Sequence, residues 1–66
     1  MCYAQLRGKI VERYGSIERF ARNFGATPTT VGKKLSGKSD WTQSEIIKAV
    51  TLLDIPAENI PTYFFS

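Results

Sequence analysis

The stretch that decides the fold is residues 16–37, which read SIERFARNFGATPTTVGKKLSG. Two short amphipathic segments lie on either side of Gly25, and each begins with a residue type that caps helices well. Ser16 is followed by apolar residues at the spacing i, i+3, i+4 and i+7, namely Ile17, Phe20, Ala21 and Phe24. This spacing predicts a helix of about two turns that ends at Gly25.

The second segment begins at Thr27 and carries Pro28 at the first helical position, where proline loses no hydrogen bond. Val31 and Leu35 lie four residues apart and therefore share the face that turns inward. Gly37 is expected to end this helix as a left-handed cap. These features predict a second short helix directly after the first.

The two helices and their turn predict a helix-turn-helix at about residues 16–37. The small side chain of Ala21 permits close approach where the helices would cross. Thr29 and Lys33 lie four residues apart on the outward face of the second helix. Because this helix enters the major groove of DNA in such motifs, both residues are candidates for contacts with base edges.

Helical patterns also flank this motif. Upstream, an apolar stripe predicts a first helix that ends at Gly15: Tyr3, Leu6, Ile10 and Tyr14. Downstream, Thr42 and Glu45 form a capping-box pattern that begins a fourth helix. The predicted buried stripe of this fourth helix is Ile46, Ile47, Val50 and Leu53. No strand-like alternation occurs, so we expect an all-α fold of four to five short helices, with residues 1–66 forming a single domain.

The C-terminal segment is rich in proline and aromatic residues. Pro56 is expected to open a short turn through Asn59 or Ile60, and Pro61 to interrupt it. The tail that follows is a candidate protein interface formed by Tyr63, Phe64 and Phe65. We expect one phenylalanine to fold back over Trp41 into the core and the other to serve a homodimer or a partner.

Charge is distributed unevenly along the chain. Residues 1–38 carry eight Lys and Arg against two Glu, a balance of +6, whereas residues 39–66 carry one Lys against four acids, a balance of −3. Such asymmetry favours a polyanion as the partner of the first half, although a lopsided solvated surface has the same appearance.

Several functional classes are disfavoured by composition. Histidine is absent and Cys2 is the single cysteine, so no catalytic dyad, disulfide framework or cysteine-based metal site is expected. The apolar runs are far shorter than the roughly 18 residues of a membrane span, and no signal-peptide pattern is present. We therefore expect an intracellular protein that is not an enzyme, with no cofactor, small-molecule ligand or membrane partner.

Residues 16–37 resemble the Cro/CI-type (XRE) helix-turn-helix family of phage and bacterial regulators. The segments 35–38 and 41–47, with the ending at 53–56 and 63–65, resemble small proteins of temperate phages of Gram-positive bacteria. The resemblance covers about residues 3–65. It implies a lambda-repressor-like helix-turn-helix DNA-binding domain in the cytoplasm of the bacterial host cell.

The resemblance also implies which side chains meet DNA. By position, base contacts would fall on Pro28, Thr29 and Lys33, and Thr30 and Lys34 would lie nearer the phosphates. The helix starts at Ser16 and Thr27 offer backbone N–H groups to phosphates. Further cations that are candidates for phosphate contacts are Lys38, Arg7 and Arg22. Each also has a simpler interpretation, as an ordinary cap or a solvated charge.

Two departures from the family pattern weaken this interpretation. Family members commonly carry glutamine where this chain has Ile17, whose side chain cannot donate to a phosphate. Pro28 and Gly32 also remove donors from the face that would read bases. Direct readout by one copy is therefore expected to be weak, so specificity would need dimerisation, DNA shape or a second protein.

Two functions follow from these observations. The first is a Cro-like transcriptional regulator that binds double-stranded operator DNA in a lysis–lysogeny switch. The alternative is a modulator or anti-repressor, which would bind a CI-type repressor protein and alter its DNA binding. The positive first half favours DNA, whereas Ile17 and the poor reading face favour the repressor protein.

Overall fold

The chain folds into short helices, as the sequence predicts. The computed structural model describes residues 3–65, so Cys2 lies outside the described part. Five α-helices and one 3-10 turn follow in order: α1 Ala4–Tyr14, α2 Ile17–Phe24, α3 Pro28–Leu35, α4 Gln43–Leu53, the turn Ala57–Asn59, and α5 Ile60–Phe64. No strand occurs in residues 3–65, and the predicted all-α class is confirmed. None of these helices is both long and apolar enough to cross a membrane.

Side-chain caps fix the starts of three helices. In each case a hydroxyl oxygen accepts a hydrogen bond from the backbone N–H three residues on, at 3.2 Å: Ser16 from Arg19, Thr27 from Thr30, and Thr42 from Glu45. The Glu45 carboxylate also accepts from the backbone N–H of Thr42 at 2.9 Å, which completes the predicted capping box. The three predicted N-caps are confirmed.

The turn between α2 and α3 sets the angle of the helix pair. Gly25 takes a φ of 87°, a left-handed conformation that side chains with a Cβ rarely adopt. The backbone N–H groups of Gly25 and Ala26 both donate to the carbonyl of Ala21, at 2.9 and 3.0 Å, and so end α2. Ala21 itself is fully buried, as its predicted place at the crossing requires.

All five helices contribute to one small core. Its fully or almost fully buried side chains are Leu6, Ile10, Phe20, Ala21, Phe24, Val31, Leu35, Ala49, Leu53, Ile55 and Phe64. Phe20 stacks on Phe24 with ring centroids 5.4 Å apart, and Tyr14 meets Phe20 edge-on at 5.5 Å. The Tyr14 hydroxyl donates to the Leu52 carbonyl at 3.2 Å and ties the end of α1 to α4.

The predicted buried stripe of α4 is wrong at one position. Ile47 is 57% exposed, whereas Ala49 is fully buried. At 100° per residue, Ile46, Ala49 and Leu53 fall within about 60° of one another, while Ile47 lies about 100° away from Ile46. α1 and α2 both pack against α4, and the face of α4 that turns into the core carries Ala49.

The predicted effect of Pro61 is also wrong. Pro61 lies in the first turn of α5, where a missing N–H interrupts no hydrogen bond, so the chain continues as a helix to Phe64. This helix carries Phe64 into the core, where its ring meets Trp41 edge-on at 5.3 Å. Phe65 remains 65% exposed. The expectation that one phenylalanine completes the core is therefore confirmed.

We expect the two adjacent phenylalanines to differ sharply in their effect on stability. Phe64→Ala should lower the free energy of unfolding by about 3 kcal/mol, because it leaves a cavity beside Trp41. Phe65→Ala should change it by less than about 0.5 kcal/mol, because the ring is already in solvent. Urea denaturation followed by circular dichroism measures both. Equal losses would contradict this placement of the tail.

Candidate interaction surfaces

The outward side of α3 is exposed, as its predicted orientation requires. Val31 and Leu35 are buried on the underside, whereas Thr29, Thr30 and Lys33 face solvent. Pro28, at the start of the helix, is exposed as well. The helix-turn-helix pair therefore presents the predicted base-reading residues together on one open surface. Their contact with DNA stays a prediction.

The hydroxyl of Thr27, the N-cap of α3, is engaged with Thr30. The Thr27 hydroxyl accepts from the backbone N–H of Thr30 and donates to the Thr30 hydroxyl at 2.9 Å. The predicted phosphate contact at Ser16 has a similar constraint, since its oxygen already accepts from Arg19. These hydroxyls act first as caps, and their candidate role toward phosphates rests on the nearby backbone N–H groups.

Lys34 lies elsewhere than expected. The resemblance placed it near DNA phosphates, but it is only 8% exposed, and its Nζ donates to Glu45 Oε1 at 2.8 Å and to the Asp40 carbonyl at 3.0 Å. On the helix Lys34 lies about 60° from the buried Val31, whereas Lys33 lies about 160° from Val31 and faces solvent. Lys34 therefore bonds within the chain, and we remove it from the candidate phosphate contacts.

The Lys34–Glu45 pair joins α3 to the first turn of α4. The hydrogen bond from Lys34 is the main cause that lowers the pKa of the Glu45 carboxyl below its ordinary value, and the backbone N–H of Thr42 adds to the effect. The Lys34 Nζ also lies 5.9 Å from the centroid of the Trp41 ring. The Lys34 amine thus contacts the loop between α3 and α4 at Asp40 and Trp41, and the first turn of α4 at Glu45.

The remaining predicted phosphate contacts lie on three different elements. Arg7 is on α1, Arg22 is on α2, and Lys38 follows α3, and all three are exposed. None of them forms an ion pair with another residue of the described range 3–65. They are available to an anion, although the sequence alone did not show which of them accompany α3.

A second surface is a groove between the start of α1, the α3–α4 loop, α4 and α5. We call it the aromatic groove; it encloses about 460 Å³ and is lined by Tyr3, Asp40, Trp41, Ile46, Phe64 and Phe65. The Trp41 ring is its centre, with edge-on contacts to Tyr3 at 6.3 Å and to Phe64 at 5.3 Å. The exposed ring of Phe65 forms part of its edge.

The predicted aromatic interface is divided by the structure. Phe65 lies at the aromatic groove and Phe64 forms its wall from within the core. Tyr63 instead lines a separate hollow with residues of α1, namely Gln5, Gly8, Lys9 and Glu12. Successive helical residues point about 100° apart, so Tyr63 and Phe64 of α5 face different ways, and Phe65 lies just after the helix; the three side chains do not form one patch.

Sequence reasoning missed most of the aromatic groove. Tyr3, Trp41 and Ile46 were assigned to the core or to a loop, and Asp40 was not singled out. A signal for part of it exists, since a tryptophan in a polar inter-helix loop is unusual unless something covers its large apolar surface. The remainder comes from distant parts of the chain, and only the tertiary fold brings them together.

Comparison with known proteins identifies the family. The model of the family described as a protein of unknown function, DUF739, matches residues 1–66. The chain belongs to the DUF739 family. The Cro/CI-type assignment drawn from the sequence is not what this comparison returns. A search of curated proteins found no match.

The DUF739 chain is also similar to a solved structure. This is the solution structure of the modulator of repression (MOR) of the temperate bacteriophage TP901-1 from Lactococcus lactis. The two sequences are 42% identical, the match covers 97% of this chain and 86% of that chain, and the TM-score is 0.84. The all-helical fold is therefore shared with a phage regulatory protein.

The Lys34–Glu45 pair predicts a pH dependence for this DUF739 protein. Because the pKa of Glu45 is lower in the folded state, its contribution to stability is complete above the unfolded pKa of a glutamate, about 4.3, and is lost as pH falls through the folded value. Glu45→Gln should lower the melting temperature near pH 7. The difference in melting temperature between the Glu45→Gln variant and the unaltered protein should narrow as pH falls below about 4.

Glu58→Gln is the matched control, because Glu58 is exposed in the 3-10 turn and forms no ion pair within residues 3–65. Thermal melts from pH 7 to pH 3 compare the three proteins. A Glu45→Gln gap that stayed constant over this range would count against the ion pair as the source of the stabilisation.

Proposed function

We propose that this DUF739 chain is a modulator of repression, which binds a CI-type phage repressor protein and alters how that repressor binds DNA. The observation that carries the proposal is the 42% identity with the phage TP901-1 modulator of repression over 97% of this chain. Identity at this level over the same fold favours the same kind of target. The repressor is then the partner, and the chain acts by protein–protein contact.

The aromatic groove is the surface best suited to that contact. Protein interfaces are enriched in aromatic side chains at their buried centre, and a few such residues carry most of the binding energy. Phe65 is 65% exposed beside the rings of Trp41 and Phe64, so a partner would bury apolar surface there without disturbing the core. We assign the repressor to this groove.

The composition of α3 also favours a protein target. With Lys34 turned inward, Lys33 is the one lysine of α3 that faces solvent. Ile17, where a glutamine would brace the reading helix, packs against the core and offers no donor. A face with one cation and two threonines can make few of the bidentate contacts that distinguish bases.

A substitution at the exposed phenylalanine tests the groove. Phe65→Ser should weaken binding to a CI-type phage repressor by about tenfold or more, because it removes an exposed aromatic ring that lines the aromatic groove. The folded state should be retained, since the ring is in solvent. Isothermal titration calorimetry with the purified repressor measures the change.

Val11→Ser is the matched control for this experiment. Val11 is 46% exposed on α1 and does not line the aromatic groove. The affinity of the Val11→Ser variant for the repressor should equal that of the unaltered chain. Absence of any repressor binding by the unaltered chain would refute the proposed function, and equal effects of the two substitutions would refute the groove as the interface.

A second candidate is Cro-like binding of operator DNA, in a lysis–lysogeny switch. The specific observation in its favour is that Thr29, Thr30 and Lys33 are exposed together on α3, in a half of the chain with a balance of +6. The resemblance of residues 16–37 to Cro/CI-type motifs supports it. This function would use the exposed outer face of α3. It would not require the aromatic groove.

Operator binding has its own signature in a salt series. A DNA-binding protein should lose affinity for its promoter duplex steeply as salt rises, because phosphate contacts release counterions. Lys33→Ala should relax preference at particular base pairs, whereas Lys38→Ala should weaken all duplexes alike. Fluorescence anisotropy with labelled duplexes measures both. No binding at about 50 mM salt, a condition that favours phosphate contacts, would exclude this candidate.

A further inference from the structure

The aromatic groove carries one charged side chain, Asp40. The other five residues that line it are aromatic or aliphatic: Tyr3, Trp41, Ile46, Phe64 and Phe65. Asp40 is exposed, and its carboxylate forms no ion pair with any residue of the described range 3–65. A groove lined by four aromatic residues, one isoleucine and a single acidic residue is a chemically distinctive surface.

The nearby lysine does not neutralise this carboxylate. The Lys34 Nζ donates to the backbone carbonyl of Asp40, not to its side chain, and its ionic partner is Glu45 at 2.8 Å. The hydrogen bond fixes the backbone of Asp40 at the groove. The Lys34–Glu45 pair is internally compensated, so the negative charge of Asp40 remains for a partner.

We infer that the aromatic groove binds a repressor segment in which a large apolar side chain lies next to an arginine or lysine, with the cation paired to Asp40; this inference rests on the proposed function. The apolar side chain occupies the space between Ile46, Phe64 and Phe65. The cation lies toward Asp40 and the rings of Tyr3 and Trp41.

Arginine suits this position better than lysine. Its planar guanidinium can pair with the Asp40 carboxylate in bidentate fashion and can also stack on an aromatic face such as that of Trp41 or Tyr3. Nucleic acid does not suit it, because phosphates would be repelled by Asp40 and by a half of the chain whose balance is −3. The charge of the groove therefore selects a basic protein segment.

The test measures the affinity of the chain for the same repressor with Asp40→Asn. At about 50 mM salt the substitution should weaken binding about threefold to tenfold, and the difference should shrink at about 500 mM salt, where charge interactions are screened. The fluorescence of Trp41, the single tryptophan in the sequence, reports occupation of the groove. Glu58→Gln, which removes the same charge outside the groove, should leave affinity unchanged.

A double-mutant cycle identifies the partner cation. Each arginine and lysine on the repressor surface is changed to alanine and combined with Asp40→Asn, and one position should show non-additive losses. Additive losses at every position, or equal effects of Asp40→Asn and Glu58→Gln, would overturn this inference. If Phe65→Ser weakens binding while Asp40→Asn does not, the proposed function stands and this inference alone fails.

Discussion

Trp41 is the side chain on which the separate parts of this small fold converge. Its ring meets Tyr3 before α1, Phe24 at the end of α2 and Phe64 in α5, at centroid distances between 5.3 and 6.3 Å. A chain of 66 residues buries a modest share of its surface, so one large shared ring has a disproportionate effect. Its Nε1 is buried without a hydrogen-bond partner among residues 3–65, so the ring is held by its contacts with other rings and not by a hydrogen bond of its own.

The helix-turn-helix geometry alone does not decide what such a protein binds. The pair α2–α3 has the caps, the turn and the buried small residue that the motif requires, yet one of the two lysines in the last turn of α3 turns inward. A fold supplies positions, and function depends on the side chains placed there. Here this lysine bonds to the loop that carries Trp41 and does not face solvent, so α3 helps to hold the loop that borders the aromatic groove.

Local signals in the sequence predicted the helices well. They did not predict which face of each helix is buried at every position, because that depends on packing. Caps such as Thr42 and the left-handed Gly25 act within four residues, so they can be recognised without the fold. That Ala49 is buried while Ile47 is exposed, and that Lys34 turns inward, depends on which neighbouring element covers each helix face. Helical angles place Lys34 beside Val31, and this periodicity could have identified it. The complete aromatic groove could not be predicted, because only the folded chain brings Tyr3, Trp41 and Phe65 to one surface.

The two candidate surfaces are not independent, because Lys34 links α3, which carries the first surface, to the loop and the start of α4 beside the second. Its amine leaves α3 on the inner side and holds the Asp40 carbonyl and the Glu45 carboxylate at the edge of the aromatic groove. Removing it would leave the Glu45 carboxylate partly buried without its ion pair and would loosen the loop that carries Trp41. A loss of activity on changing Lys34 would therefore report on the groove and on stability, even though its position in the motif suggests a phosphate contact. Lys33 lies about 100° around α3 from Lys34 and is exposed, so its substitution would report on the α3 surface without breaking the Lys34–Glu45 pair.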